Sequence, residues 1–426
     1  MKQKNNLSRI LVLLLALIIA SVSLVSCGRI TNLNDPSLKE EDGYEKLELI
    51  DRLFNTYSLF ELEDEALMEA VLKGYVAGTG DKYAEYFTEE EYKQFNSDNK
   101  GELEGIGISV VENPEKKGID IINVMPNSPA LKAGVLPDDI ITHIGVGENK
   151  QSVESLGYTK SLDMMKGTEG SVAEFTVLRM KDGENEQIEF AVPREKIVSA
   201  SVMSHVCETD ESVGIVKITQ FNLAAPTQFC NAVDGLLASG CDKFIFDVRY
   251  NPGGDLLSIK AVLSYFLNNG DIFIRIADKN GKVESNKIEP VFYSENYKDC
   301  NVVKNDIGKY RELNFAVLTN GSTASAAELF TGVLKDYGLS VTVGTKTYGK
   351  GTIQTTFSLA PYGYEGALKL TTKYYYPPIS DSYDGIGIIP DREVVLDEAL
   401  EGKNIYTIGD AEDNQLQAAI EELYKK

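Results

Sequence analysis

The chain has 426 residues, enough for two or three domains with separate cores, and its 43% apolar and 25% charged content is that of a globular protein. A formal charge of −23 argues against nucleic-acid binding, which needs clustered Lys and Arg. With only two histidines, His143 and His205, a His-based triad or a His-rich zinc site is disfavoured, and neither metal nor cofactor is expected. Residues 1–26 read as a secretory signal. Lys2, Lys4 and Arg9 precede an apolar core from Ile10 to Ala20, a run short for a full membrane span.

Leu24-Val25-Ser26-Cys27 resembles the bacterial lipobox, which implies a lipidated Cys27 as the mature N-terminus. An uncleaved anchor is the alternative. Lipidation would hold the protein outside the cytoplasm, at the outer face of the bacterial cell membrane. Residues 27–43 are polar and read as a tether. Residues 44–98 carry helical periodicity in Leu47, Ile50, Leu53 and Phe54, then in Leu67, Val71, Leu72 and Tyr75. Gly78-Thr79-Gly80-Asp81-Lys82-Tyr83 interrupts the helices.

A β-rich module is expected over 99–182. Gly105-Ile106-Gly107-Ile108 opens a strand, and Ser128-Pro129-Ala130 to Ile140-Ile141 follows. Alone, G-I-G-I would serve as well for a hairpin. Together these phrases closely resemble the PDZ domain, which implies that residues 105–108 bind a peptide's C-terminal carboxylate while the peptide adds as an edge strand. Leu162 and Met165 are candidate pocket residues. Two alternating strands between Ala173 and Val192 close the module.

The remaining segment, 183–426, reads as an α/β core. A strand Phe244–Val248 runs into Arg249-Tyr250-Asn251-Pro252-Gly253-Gly254-Asp255. A second strand, Phe315–Leu318, leads through Asn320-Gly321 to a helix marked by Leu329, Phe330, Val333, Leu334 and Tyr337. Ser325 sits at the helix start, where the helix dipole favours an anion. If the two strands are parallel neighbours, both turns emerge at the same sheet end, where α/β active sites lie. Gly253 or Gly254 could then join the Ala326 N–H as an oxyanion hole. Ser325 alone would be an N-cap, and Lys350 alone a surface charge. Lys350, between Gly349 and Gly351, is the candidate base. At an ordinary pKa of ~10.4 it would be neutral about once in 2,500 at pH 7, so the role demands desolvation. The Gln354 amide oxygen can orient it.

The motifs G-T-G-D-K-Y-A-E-Y-F, D-V-R-Y-N-P-G-G, G-S-T-A-S-A-A-E, K-D-Y-G, K-T-Y-G-K-G-T-I-Q and L-K-L-T-T-K-Y-Y-Y-P occur in this order. In that combination the chain, from about Leu47 to Leu423, resembles the carboxyl-terminal processing peptidases, or tail-specific proteases. The resemblance implies Ser325 as nucleophile, Lys350 as general base and Gln354 as third catalytic residue. Ser322 is a rival serine outside the nucleophile's place, and Asp336, which matches a motif aspartate, reads as structural or site-supporting and not as a proton carrier. It also implies a ClpP/crotonase-like α/β protease core with an inserted PDZ domain, an N-terminal helical segment and a C-terminal helix. Substrates would be proteins or peptides bound by their C-termini. Members of that family often assemble, so a homo-oligomer stays open. Two departures stand out: Ala327 where a further serine is common, and Pro377-Pro378-Ile379 where P-S-G is usual. A non-catalytic PDZ scaffold and a small-substrate esterase are the rival functions. Cys207, Cys230, Cys241 and Cys300 show no C-x-x-C spacing and are expected to be free.

Overall fold

A computed structural model describes residues 43–60, 63–114, 116–125, 128–181, 183–400 and 408–425. The signal segment, Cys27 and nearly all of the tether lie outside the described residues. Taken by itself, the helix Gly43–Tyr57 is amphipathic in sequence and leaves Leu47, Ile50, Leu53 and Phe54 exposed. A helix Asp64–Gly78 follows. Among the described residues no helix is long and apolar enough to cross a membrane.

The core is a six-stranded sheet. Its order is Val202–Val206, Val213–Ile218, Lys243–Asp247, Asn314–Thr319, Val341–Gly344 and Arg392–Glu393. The first pair is antiparallel and all later pairs are parallel. Strand alternation explains why both faces are apolar. Phe244 and Phe246 point into one cluster, with Phe315, Phe330 and the helices Ala225–Ala238, Leu256–Ser264 and Ala326–Asp336. Ile245, Ala316 and Leu318 point the other way, against Leu416, Ala419 and Ile420 of the helix Asn414–Leu423.

A second sheet carries the strands Glu85–Phe87, Thr352–Ser358, Ala367–Tyr376, Ile272–Ala277 and Val283–Lys287. Glu85–Phe87, although distant in sequence, pairs with Lys369–Ala367.

The third sheet is the module predicted between the helical segment and the core. Ile108–Asn113, Gly118–Val124, Ile140–Ile144, Val172–Lys181 and Glu184–Pro193 follow one another, with Gln151–Ser152 beside Ile140–Ile144. Its own core includes Ile119, Ile121, Phe175 and Val177. The expected boundary at 182/183 is corrected here. It falls between two ten-residue strands, Val172–Lys181 and Glu184–Pro193, which pair along their whole length. The chain enters and leaves this module through one two-stranded ribbon, Glu102–Gly105 against Glu195–Val198.

Arg249 ties the C-terminal helix to the core sheet. Its guanidinium is buried and bridges Asp247 and Asp413, with 2.7 Å contacts to each, and also reaches Gln415 Oε1 at 2.9 Å. Asp413 caps the C-terminal helix through the N–H groups of Gln415 and Leu416. Removing one partner of such a cluster strands the others without water. Arg249→Met is therefore expected to cost about 3–5 kcal/mol, read as a lower urea midpoint.

The four described cysteines are free thiols.

Candidate active site

The strands Lys243–Asp247 and Asn314–Thr319 are parallel neighbours, so both following turns leave the same end of the sheet. The two turns are stitched together. Tyr250 N–H donates to Asn320 Oδ1 (3.0 Å), Ala324 N–H to the Asn251 carbonyl (2.9 Å), and Thr323 Oγ1 to the Val248 carbonyl (2.8 Å). Ser325 follows with φ +55° and ψ −119°, an unusual conformation for a residue with a side chain. Surroundings that over-determine such a conformation are common at functional sites. Ser322, by contrast, lies in the exposed turn ahead of it.

Gly253 comes so close that a Cβ there would stand 2.7 Å from Ser325 Cβ and 2.8 Å from the Ala326 nitrogen. This contact requires glycine. The two candidate oxyanion glycines are not equivalent. The Gly253 N–H already donates to Asn251 Oδ1 at 2.8 Å. Phe221 brackets the pair, donating to the Gly253 carbonyl (2.9 Å) and accepting the Asp255 N–H (2.7 Å). The Gly254 and Ala326 N–H groups have no acceptor among the described residues. The free donors are thus Gly254 and Ala326.

Glu328 is a residue for which sequence reasoning assigned no role. It is fully buried and accepts four hydrogen bonds. One oxygen takes Thr347 Oγ1 and the Gly349 N–H, both at 2.6 Å. The other takes the Ser325 N–H at 2.9 Å and the Lys350 N–H at 2.8 Å. Burial pushes its carboxyl above the ordinary value, while these donors oppose the shift. A signal was present: Ser325-Ala326-Ala327-Glu328 has the spacing of a capping box, in which the glutamate reaches back to the first residue's N–H.

The Lys350 loop is packed on residues 383–387. A Cβ on Gly349 would meet the Gly387 nitrogen at 2.8 Å, and one on Gly351 would meet Asp384 Cβ at 2.7 Å. The Tyr375 hydroxyl donates to the Lys350 carbonyl. Burial first, then the charge of Lys369, depress the Lys350 ammonium below the ordinary lysine value. Glu328 partly opposes this and Lys82 adds to it. The Lys350 Nζ lies 4.5 Å from the centroid of the Tyr83 ring. Gln354 sits at a β-bulge, and its amide nitrogen donates to the hydroxyls of Thr352 and Thr371, each at 3.1 Å. Among the described residues no hydrogen bond joins Lys350 Nζ to Ser325 or Gln354.

Asp336 stands at the other end of the Ser325 helix. Its carboxylate accepts the Ile379 and Ser380 N–H groups at 2.7 and 3.0 Å, and the Ser380 hydroxyl. That fixes the loop after Tyr376, where the sequence departs from the P-S-G pattern.

The peptide-binding candidates lie in the small module. Gly105 ends one strand and Ile108 begins another, and Gly107 between them has φ +81°. Ile106 is buried in the module core. Ile108–Asn113 is an edge strand, paired on one side only with Gly118–Val124 among the described residues. Leu162 and Met165, on the helix Tyr158–Met165, are half-buried against the module core, as is Ile108.

Comparison with known proteins agrees with this architecture. Residues 96–178 match the PDZ domain, and residues 212–394 match peptidase family S41. A carboxy-terminal-processing protease of Bartonella bacilliformis is 30% identical, over 82% of this chain and 75% of its own. The chain belongs to peptidase family S41. It is a carboxy-terminal-processing serine protease with a PDZ domain. A probable CtpA-like serine protease of Staphylococcus saprophyticus is 28% identical, over 88% of this chain and 71% of its own. Among solved structures, a putative S41 protease from Bacteroides fragilis shares the fold with a TM-score of 0.55. It is 17% identical and covers 91% of this chain and 98% of its own.

Proposed function

We propose that this S41 peptidase is an exported serine endopeptidase that works through Ser325, Lys350 and Gln354. Ser325 Oγ attacks the scissile carbonyl and Lys350 takes its proton. The N–H groups of Ala326 and Gly254 stabilise the oxyanion. Lys350 then returns the proton to the leaving amine, and water hydrolyses the acyl-enzyme. Gln354 orients the lysine once its side chain turns from the threonines. The observation that carries this reading is Glu328: a single carboxylate oxygen accepts both the Ser325 and the Lys350 backbone N–H. Two residues 25 positions apart are thereby held to one buried atom.

The PDZ domain receives the C-terminus of a protein or peptide at residues 105–108, and its partner strand adds along Ile108–Asn113. In this reading the core is ClpP/crotonase-like and carries an N-terminal helical segment. Cys27 is its lipid attachment site and holds the enzyme outside the cytoplasm at the bacterial membrane.

The test is pH-dependent acylation. With Lys350 depressed by burial, kcat/KM should rise with pH through an ionisation below ~10.4, because only the neutral amine accepts a proton. Lys350→Met should abolish that limb and slow acylation by about 10²–10⁴-fold. An acyl-enzyme burst at the wild-type rate in Lys350→Met would overturn the assignment of the base.

A further inference from the structure

Residues 79–87 precede the PDZ domain in sequence, yet they bring Tyr83 against Lys350. Three attachments hold them there. The strand Glu85–Phe87 pairs with Lys369–Ala367. The Asp81 carboxylate accepts the Thr371 N–H at 2.8 Å and the Thr371 hydroxyl at 2.9 Å. It also accepts the Tyr83 N–H at 3.0 Å, which fixes the backbone from which the ring projects. Thr371 stands opposite Gln354 in the sheet and accepts its amide. The same threonine therefore anchors Gln354 and, through Asp81, Tyr83.

The Tyr83 ring offers its face to the Lys350 ammonium at 4.5 Å. Lys82 Nζ lies 4.7 Å from the same ring and 5.7 Å from that of Tyr348. Among the described residues the buried Tyr83 hydroxyl has no partner within hydrogen-bond distance. Its contact with the lysine is through the ring. An aromatic face attracts a cation through its quadrupole and does little for a neutral amine. The other charged and titratable groups acting on Lys350 are Lys82 beside Tyr83, Lys369 of the strand Ala367–Tyr376, and Glu328 of the Ser325 helix. Burial and two like charges favour the neutral amine. Tyr83 and Glu328 favour the ammonium.

We propose that Tyr83 is a positioning residue whose ring face seats the Lys350 ammonium. The inference rests on Lys350 being the base. When the Ser325 O–H bond breaks and the proton bonds to Lys350 Nζ, the product is the cation that the ring receives. When the C–N bond of the substrate breaks and that proton passes to the leaving nitrogen, the amine is neutral and the ring releases it. The seat holds the base in one place without giving it a fixed acceptor.

The experiment compares Tyr83→Leu and Tyr83→Phe with wild type, following kcat/KM on a peptide substrate and fluorophosphonate labelling of Ser325 across pH. Tyr83→Leu should move the acidic limb to lower pH by roughly 0.5–1.5 units, because the cation has lost its partner. Tyr83→Phe should leave the limb in place. Tyr83→Met serves if the leucine variant does not fold. A limb that stays put in Tyr83→Leu overturns the seat, as does a Tyr83→Phe profile that follows Tyr83→Leu. A limb that moves up overturns it too, since the ring would then act by excluding water. Failure of the base assignment looks different: the wild-type limb would survive in Lys350→Met. If Lys350→Met abolishes the limb and Tyr83→Leu does not shift it, only the seat has failed.

Discussion

Ser325→Ala is expected to abolish cleavage of an unfolded protein substrate, a loss on the order of 10⁵–10⁶ in kcat, and to leave the thermal midpoint within a degree or two of wild type. The two halves of this prediction have separate causes. The loss follows because the neighbouring hydroxyls among the described residues are turned to other partners or to solvent, and that of Tyr375 donates to the Lys350 carbonyl. Ser322 is in the exposed turn, and the Thr323 hydroxyl is committed to the Val248 carbonyl. Stability is spared because the strain at Ser325 is in the backbone, at φ +55°, and alanine bears it equally. Ser325→Gly makes the same point from the other side. It should be just as inactive, yet more stable by about 1 kcal/mol, since glycine accepts positive φ without a Cβ clash. Steady-state cleavage with thermal melts of both variants checks this. Residual proteolysis by Ser325→Ala near the wild-type rate would remove Ser325 as nucleophile.

The βαβ corner around Ser325 was legible because its signals are local: a short apolar run, a turn at Asn320-Gly321, then apolar residues at helical spacing. The module at 105–141 was legible for the same reason, through contiguous phrases. Contacts between distant segments were not. Arg249 and Asp413 are separated by 164 positions, and nothing in either neighbourhood predicts that one buried guanidinium joins them. The PDZ boundary was misplaced because a polar hairpin tip resembles a linker, whereas the ladder beyond it is visible only in three dimensions. Tyr83 lies within the motif G-T-G-D-K-Y-A-E-Y-F, but its contact with Lys350 depends on how Glu85–Phe87 pairs with the distant strand Ala367–Tyr376. Gly253 and Gly254 were indistinguishable in sequence. The Asn251 side chain, which occupies the Gly253 N–H, separates them.

Glu328→Gln should lower kcat by about 10²-fold or more, with KM little changed, although it replaces one buried planar group by another of the same shape. The carboxylate accepts from four donors, two on each oxygen. An amide has one oxygen. Whichever way it is turned, its NH₂ faces two donors and cannot accept from them. If the nitrogen faces Ser325 and Lys350, the backbones of nucleophile and base lose their common acceptor and are pushed apart. If it faces Thr347 and Gly349, the base loop loses its support from the other side. A shift of about an ångström is enough for the predicted loss, because proton transfer requires Lys350 Nζ within hydrogen-bond reach of Ser325 Oγ. Each buried donor left without an acceptor also costs about 1–3 kcal/mol, so Glu328→Ala should lower the urea midpoint further than Ser325→Ala does. The discriminating measurement is fluorophosphonate labelling alongside kcat and KM. Glu328→Gln should label slowly while remaining folded by circular dichroism and binding C-terminal peptide with wild-type affinity. Labelling at the wild-type rate would mean that Glu328 does not align the pair. Its four hydrogen bonds would then belong to the fold alone.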